Sequence, residues 1–305
     1  MGVAASQHGP TIMSFRMPSY CHFERSREIS MKLSALTPYS FRALLPKVKA
    51  RIAEEARRRL IVYPDGDMVQ RHLSVGSTFC RSAVSMGYLT QAQMNRAAQR
   101  YRLGMSRDGG VIFWQIGFLN EMYDGKIMYY RSNCHRDHDH HPTWVLSELH
   151  NFYLRDNPEL IFALQSTHCL FGTHLLEECC HSERSRGISS LKAVAVVEAE
   201  KTAVIMSEIY TDYLWMAAGG MNELTPTKLF PLRGRKIILF PDTDEEGLAY
   251  ANWYKICRES ERFLEHPIYL SSLLEQKASP DQKRRKIDIL DYYFETIKPT
   301  LSPQK

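Results

Sequence analysis

Three carboxylates carry the first chemical signal in this 305-residue chain. Glu198 directly follows the apolar run Lys192-Ala-Val-Ala-Val-Val197, and Asp242 and Asp244 follow Lys236-Ile-Ile-Leu-Phe240. Alternate residues of an extended segment point the same way, so the D-x-D pair can turn both carboxylates toward one point. If the two runs are neighbouring strands, Glu198 reaches that point as well. Converging carboxylates repel one another unless a divalent cation neutralises them, and an all-oxygen set selects Mg²⁺ or Mn²⁺ over zinc. A cation held there polarises phosphoryl oxygens and offsets transition-state charge, so phosphoryl transfer is the expected reaction class. Gly219 and Gly220 end a further apolar run, 213–218, and would let a substrate approach the backbone closely.

A lone D-x-D pair also caps helices and lines turns in many proteins; order and context give this one its weight. Residues 201–210 have helical composition, and Thr225-Pro226 can cap a short helix before the strand at 236–240. Continuous apolar strands separated by helices predict a parallel sheet covered on both faces, with ligands gathering at the carboxyl ends of its strands. Upstream, Val111-Ile-Phe-Trp-Gln-Ile116 and Gly125-Lys-Ile-Met-Tyr-Tyr130 predict two paired strands. Thr90-Gln-Ala-Gln93 has the form of a capping box opening a helix, with Gly104 as its expected stop. Val48, Ile52 and Ala56 put an apolar stripe on an earlier helix whose other faces are basic. Residues 131–142 are expected to form a polar loop, and 147–154 a helix.

The ordered set formed by Val197-Glu-Ala-Glu-Lys-Thr-Ala203, the Gly-Gly pair and Gly234-Arg-Lys-Ile-Ile-Leu-Phe-Pro-Asp-Thr-Asp-Glu-Glu-Gly247 resembles the toprim domain of bacterial primases, topoisomerases and some nucleases. It is more similar still to the primase-like toprim proteins of bacterial mobile elements. The resemblance implies a toprim-type α/β sheet with helices on both faces, preceded by a mixed α+β primase-like subdomain. It gives Glu198 a role in metal binding or as general base, and Asp242 and Asp244 the role of metal ligands. Lys286-Ile-Asp-Ile-Leu-Asp-Tyr292 resembles the family's late acidic motif and makes Asp288 a further metal contact. Lys201, Gly219, Gly220, Lys126 and Arg131 fall at positions expected to bind substrate. The family motif usually reads V-E-G-E-K, and Ala199 stands here in place of its Gly.

What the resemblance implies for function is a primase-like nucleotidyltransferase using Mg²⁺ or Mn²⁺ and nucleoside triphosphates on single-stranded DNA, in replication of a mobile element. The alternatives are a toprim nuclease and a non-catalytic nucleic-acid-binding remnant. Bacterial primases begin with a Cys/His zinc module, which has no counterpart before residue 90, and no P-loop is present, so a replicative helicase would be a separate partner. Cys134-His-Arg-Asp-His-Asp-His-His141 packs zinc-binding residue types together, but without the two separated pairs that close a tetrahedron; a solvated, DNA-facing loop is expected rather than a zinc site. Phe113, Trp114, Tyr129 and Tyr130 can stack on bases, although sheet core is the commoner use of such residues.

Bulk composition narrows the function little. The formal charge of +5 comes from 39 basic against 34 acidic side chains, an excess shared by many proteins with no nucleic-acid partner. Seven cysteines without a C-x-x-C pair support no disulfide framework, and with no apolar run of membrane-spanning length a cytoplasmic protein is expected. Cys21-His-Phe-Glu-Arg-Ser-Arg-Glu-Ile-Ser30 recurs as Cys180-His-Ser-Glu-Arg-Ser-Arg-Gly-Ile-Ser189, which reads as a translated DNA repeat and not as a solenoid. The expected organisation is a disordered extension over 1–35, a helical region over 36–104 and a basic subdomain over 105–178. An inserted loop at 179–190, a toprim domain over 191–295 and a tail over 296–305 complete it.

Overall fold

Apolar strands with no polar alternation need cover on both sides, and the second half of the chain supplies it. The computed structural model describes residues 66–148, 168–177, 192–264 and 267–301, all within one unit, Leu60–Lys305. The basic helix expected near residue 50, the extension over 1–35, the loop at 179–190 and most of the helix at 147–154 lie outside the described residues.

Among the described residues three helices come first: α1 (Gly66–His72), α2 (Thr78–Ser85) and α3 (Gln91–Arg100). Helix α3 opens on the expected capping box, with the Thr90 hydroxyl accepting from the Gln93 N–H and the Gln93 side chain accepting from the Thr90 N–H. Its stop differs from expectation. Arg102, at φ 52°, makes the left-handed turn, and Gly104 opens the next strand instead. The glycine is needed there because a Cβ would lie 2.8 Å from Trp114 Nε1.

Strands β1 (Gly104–Met105), β2 (Val111–Ile116), β3 (Met122–Met128) and β4 (Thr143–Trp144) form an antiparallel sheet in that order. Strand β3 begins three residues before the expected Gly125. Period-two alternation sorts the sheet into two faces. Ile112, Trp114 and Ile127 pack with Val69 and Val145 on one side. Val111, Phe113 and Met128 join the main core on the other. Phe113 pairs with Lys126 and Lys126 with Trp144, while Gln115 pairs with Asp124, so Gln115, Lys126 and Trp144 share that second face.

The second sheet is parallel, in the order β6-β5-β7-β8, built from β5 (Ala193–Val197), β6 (Tyr213–Ala217), β7 (Ile237–Phe240) and β8 (Ile268–Leu270). Val194 and Val196 face one core with Leu229, Trp253 and Ile256, and Ala195 and Val197 face the other with Val204 and Trp215. Helix α4 (Glu200–Ile209) covers the second of these faces, and α5 (Pro226–Leu229) and α6 (Leu248–Ser260) the first. The chain is thus mixed α/β, a parallel sheet flanked by helices. The three-residue β8 was not legible in sequence. Beyond it, α7 (Leu273–Lys277), α8 (Pro280–Arg284) and α9 (Ile289–Tyr292) return the chain toward α4, where Ile287 and Leu290 enter the main core. Among the described residues, no helix is long and apolar enough to cross a membrane.

Candidate functional site

The strand pair that the acids require does form. Strand β5 lies beside β7 in parallel, with Val194 opposite Ile237 and Val197 opposite Phe240, so Glu198 and Asp242 leave the sheet at the same edge. Glu198 Oε1 accepts from the Asp242 backbone N–H at 3.2 Å. The Thr243 N–H donates to the Ile287 carbonyl at 3.0 Å and draws the segment bearing Asp288 to the same place. Glu198, Asp242 and Asp288 line a cleft of about 240 Å³ with Lys126, Arg136, Lys201 and Gly219.

Electrostatics in the cleft are those of crowded, desolvated acids. Burial, with Asp288 and Asp244 nearby, pushes the Glu198 carboxyl up to about 7 against the hydrogen bond from Asp242. Asp242 is raised well above the usual carboxylate range, by burial first and then by Glu198, Asp288 and Asp291, with Lys201 opposing. Its Oδ1 is buried without a hydrogen-bond partner. Burial pulls the Lys201 ammonium down, but Asp288 and Asp291 outweigh it and hold it above its ordinary value.

The other acids are more fully engaged. Asp244 takes 2.9 Å hydrogen bonds from the Leu248 and Ala249 N–H groups at the start of α6, which hold it below the ordinary carboxylate range despite burial. Asp288 is the N-cap of α9, accepting from the Asp291 N–H at 2.8 Å and from the Thr202 hydroxyl. Among the described residues, no three His, Cys, Asp or Glu side chains close around a single point as a complete ligand set.

Lys126 reaches Glu200 at 3.0 Å and the Gly219 carbonyl at 2.8 Å. It therefore ties β3 to α4 and to the glycine turn, and its charge is largely spent on a buried partner. Arg131 is elsewhere: the exposed loop holds it against Asp137 at 3.2 Å and Asp139 at 3.0 Å, because two carboxylates lie close by in sequence. Arg136, which the sequence reading did not single out, takes its place in the cleft. Glu200 and Thr202 were likewise missed, although both lie in or beside the V-E-A-E-K segment. Ala199 sits at φ −97°, ψ 139°, an ordinary extended conformation in which alanine replaces glycine without strain. Gly219, at φ 99°, does need to be glycine.

Cys134 turns into the core beside Cys80, its thiol pushed up by burial, while His135, His138, His140 and His141 remain exposed. Phe113 and Trp114 are fully buried, and Tyr130 is buried against Phe79 and Phe113; all three are core.

Fold and cleft define an α/β protein with an acidic site at the carboxyl edge of a parallel sheet. The chain belongs to the family described as Domain of unknown function (DUF6371), whose model matches residues 79–243. Among solved structures it is similar to the E. coli primase catalytic core, at 12% identity and a TM-score of 0.41, over 77% of this chain and 83% of that one. It is also similar to the DnaG primase catalytic domain bound to ssDNA, at 11% identity and a TM-score of 0.40, over 77% and 81%. Superpositions this loose carry no functional weight. No curated protein matches the chain.

Proposed function

We propose that the chain is a primase-like nucleotidyltransferase, acting on single-stranded DNA through a Mg²⁺-dependent toprim-type site in replication of a mobile element. One observation carries the reading: Glu198, Asp242 and Asp288 crowd one cleft at the carboxyl edge of adjacent parallel strands, with an unpartnered buried oxygen on Asp242. Acids this costly to ionise together fit a cation. The lack of a closed three-residue ligand set is compatible with Mg²⁺, which keeps several waters and commonly takes only one or two carboxylates plus substrate phosphates.

Glu198 and Asp242 are the direct ligands in this reading, because Asp244 and Asp288 already accept hydrogen bonds from helix N-termini. When bound, the ion polarises phosphoryl oxygens and offsets their charge. Lys201 and Arg136 face the same cleft and can hold phosphates there. Lys126, held by Glu200, positions the Gly219 turn by donating to its carbonyl.

Template-dependent primer synthesis from labelled nucleoside triphosphates tests the reading. Synthesis that requires Mg²⁺ or Mn²⁺ and falls at least a hundredfold in Asp242→Asn is expected. Unchanged synthesis in that variant would overturn the site. Cleavage of the template strand instead of extension would move the assignment to a nuclease.

A further inference from the structure

A second chamber, of about 250 Å³, opens from the acidic cleft and shares Lys126, Met128, Arg136 and Gly219 with it. Its walls combine a stacked aromatic pair with a buried amide. Trp144 and His168 lie 3.8 Å apart at 13°, and both line the chamber. Buried Asp124 faces His168, with Oδ2 at 3.6 Å from Nε2. Asp124 is itself fixed by the N–H groups of Gly125 at 2.7 Å and Leu146 at 3.0 Å, so the imidazole plane has an anchored neighbour.

Gln115 supplies the polar feature. Its side chain is almost fully buried, yet it lines the chamber, and Oε1 accepts a 3.7 Å contact from the Cys169 thiol. An amide held at the wall of a chamber can donate its N–H to an acceptor that enters. The sheet explains the grouping: Gln115, Lys126 and Trp144 project from one face of three adjacent strands.

We propose that this chamber receives a nucleobase, whose phosphates extend past Arg136 into the acidic cleft. The volume falls just below that of pockets for drug-sized ligands, about 300 Å³ and upward, and so suits one planar ring system. Trp144 and His168 give that ring a stacking platform, and the Gln115 N–H reads an acceptor on its edge. Arg136 bridges the two spaces, where a phosphate joined to the base would pass. The proposal rests on the nucleotide chemistry proposed above, and the base can belong to a free nucleoside triphosphate or to a DNA strand.

Fluorescence separates these cases, because Trp114, Trp215 and Trp253 are buried and Trp144 is the partly exposed tryptophan of the chain's four. The full chain is titrated with uridine and adenosine triphosphates, inorganic triphosphate and an unphosphorylated single-stranded oligonucleotide, with calorimetry in parallel. Quenching by the base-bearing ligands and not by inorganic triphosphate is expected, and whichever quenches at lower concentration identifies the source of the base. Trp144→Leu should abolish the quench and weaken binding about tenfold, and Gln115→Leu should change the preference between the two nucleotides by about tenfold. Should Trp144→Leu fail to fold by circular dichroism, His168→Ala, in a coil segment, gives the same binding readout. Equal quenching by inorganic triphosphate, or wild-type binding in the variants, overturns the proposal. Quenching by a wild-type chain that shows no metal-dependent turnover leaves the chamber standing without the catalytic reading; turnover without quenching removes the chamber alone.

Discussion

The Asp242 backbone N–H donates to Glu198 Oε1 at 3.2 Å, so the segment that follows β7 holds the carboxylate that follows β5. The bond joins two acids 44 positions apart at the place where both side chains lose water. Such a contact steadies Glu198 in one orientation, but it offsets only part of the cost of burying its charge. The remainder is the cost of burial itself, to which repulsion among Glu198, Asp242 and Asp288 adds.

Burial and repulsion together predict a pH dependence of stability. Glu198 is raised from its ordinary 4.5 to about 7 in the folded chain, so between these values the native state binds more protons than the unfolded one. Its contribution therefore weakens as pH rises through that window, and the full cost is present above about 7. Asp244, Asp281 and Glu295 shift the opposite way and gain stability as pH rises from acid, so a difference curve is needed. Denaturant midpoints of wild type minus Glu198→Gln, measured without divalent cations, should fall from pH 5 to pH 8. Millimolar Mg²⁺ at pH 8 should raise the wild-type midpoint and leave the variant's almost unchanged.

The Lys126–Glu200 pair should dominate local stability. Its side chains are 11% and 2% exposed, and removing one partner strands the other charge in the interior. Lys126→Ala is expected to cost about 3 to 5 kcal/mol, while Lys126→Met combined with Glu200→Leu should recover most of it. Urea unfolding of the single and double variants measures the difference.

Arg136 and Arg131 should separate in binding. Arg136→Ala removes a guanidinium from the cleft and should weaken single-stranded oligonucleotide binding several-fold, with the slope of log affinity against log salt shallower by about 0.7. Arg131→Ala, whose charge is already matched by Asp137 and Asp139, should stay within about twofold. Anisotropy titrations at several salt concentrations compare them.

Thr90→Ala removes the hydroxyl that caps α3 and should cost about 1 kcal/mol, whereas Thr90→Ser should be nearly silent. Thermal unfolding reads both, and primer synthesis should be unaffected because the cap lies outside the cleft-lining set.

Some of this was written locally. Apolar runs of five and four residues predict β5 and β7 because nothing in them tolerates water, and the α3 start follows from two side chains and their own backbone. The positions of Glu198 and Asp242 after those runs came with the strands. Strand β8, with three residues, carries no periodic signal, and the turn at Arg102 shows none of the glycine chemistry expected there. Strand adjacency, the choice of Arg136 over Arg131, the capture of Lys126 by Glu200 and the joining of Gln115, Trp144 and His168 in one chamber depend on residues far apart in the chain. Sequence determined which side chains could do chemistry, since residue type and period are local properties. Only the tertiary structure decided which of them meet, because packing sets distance and desolvation, and these fix where each charge is spent.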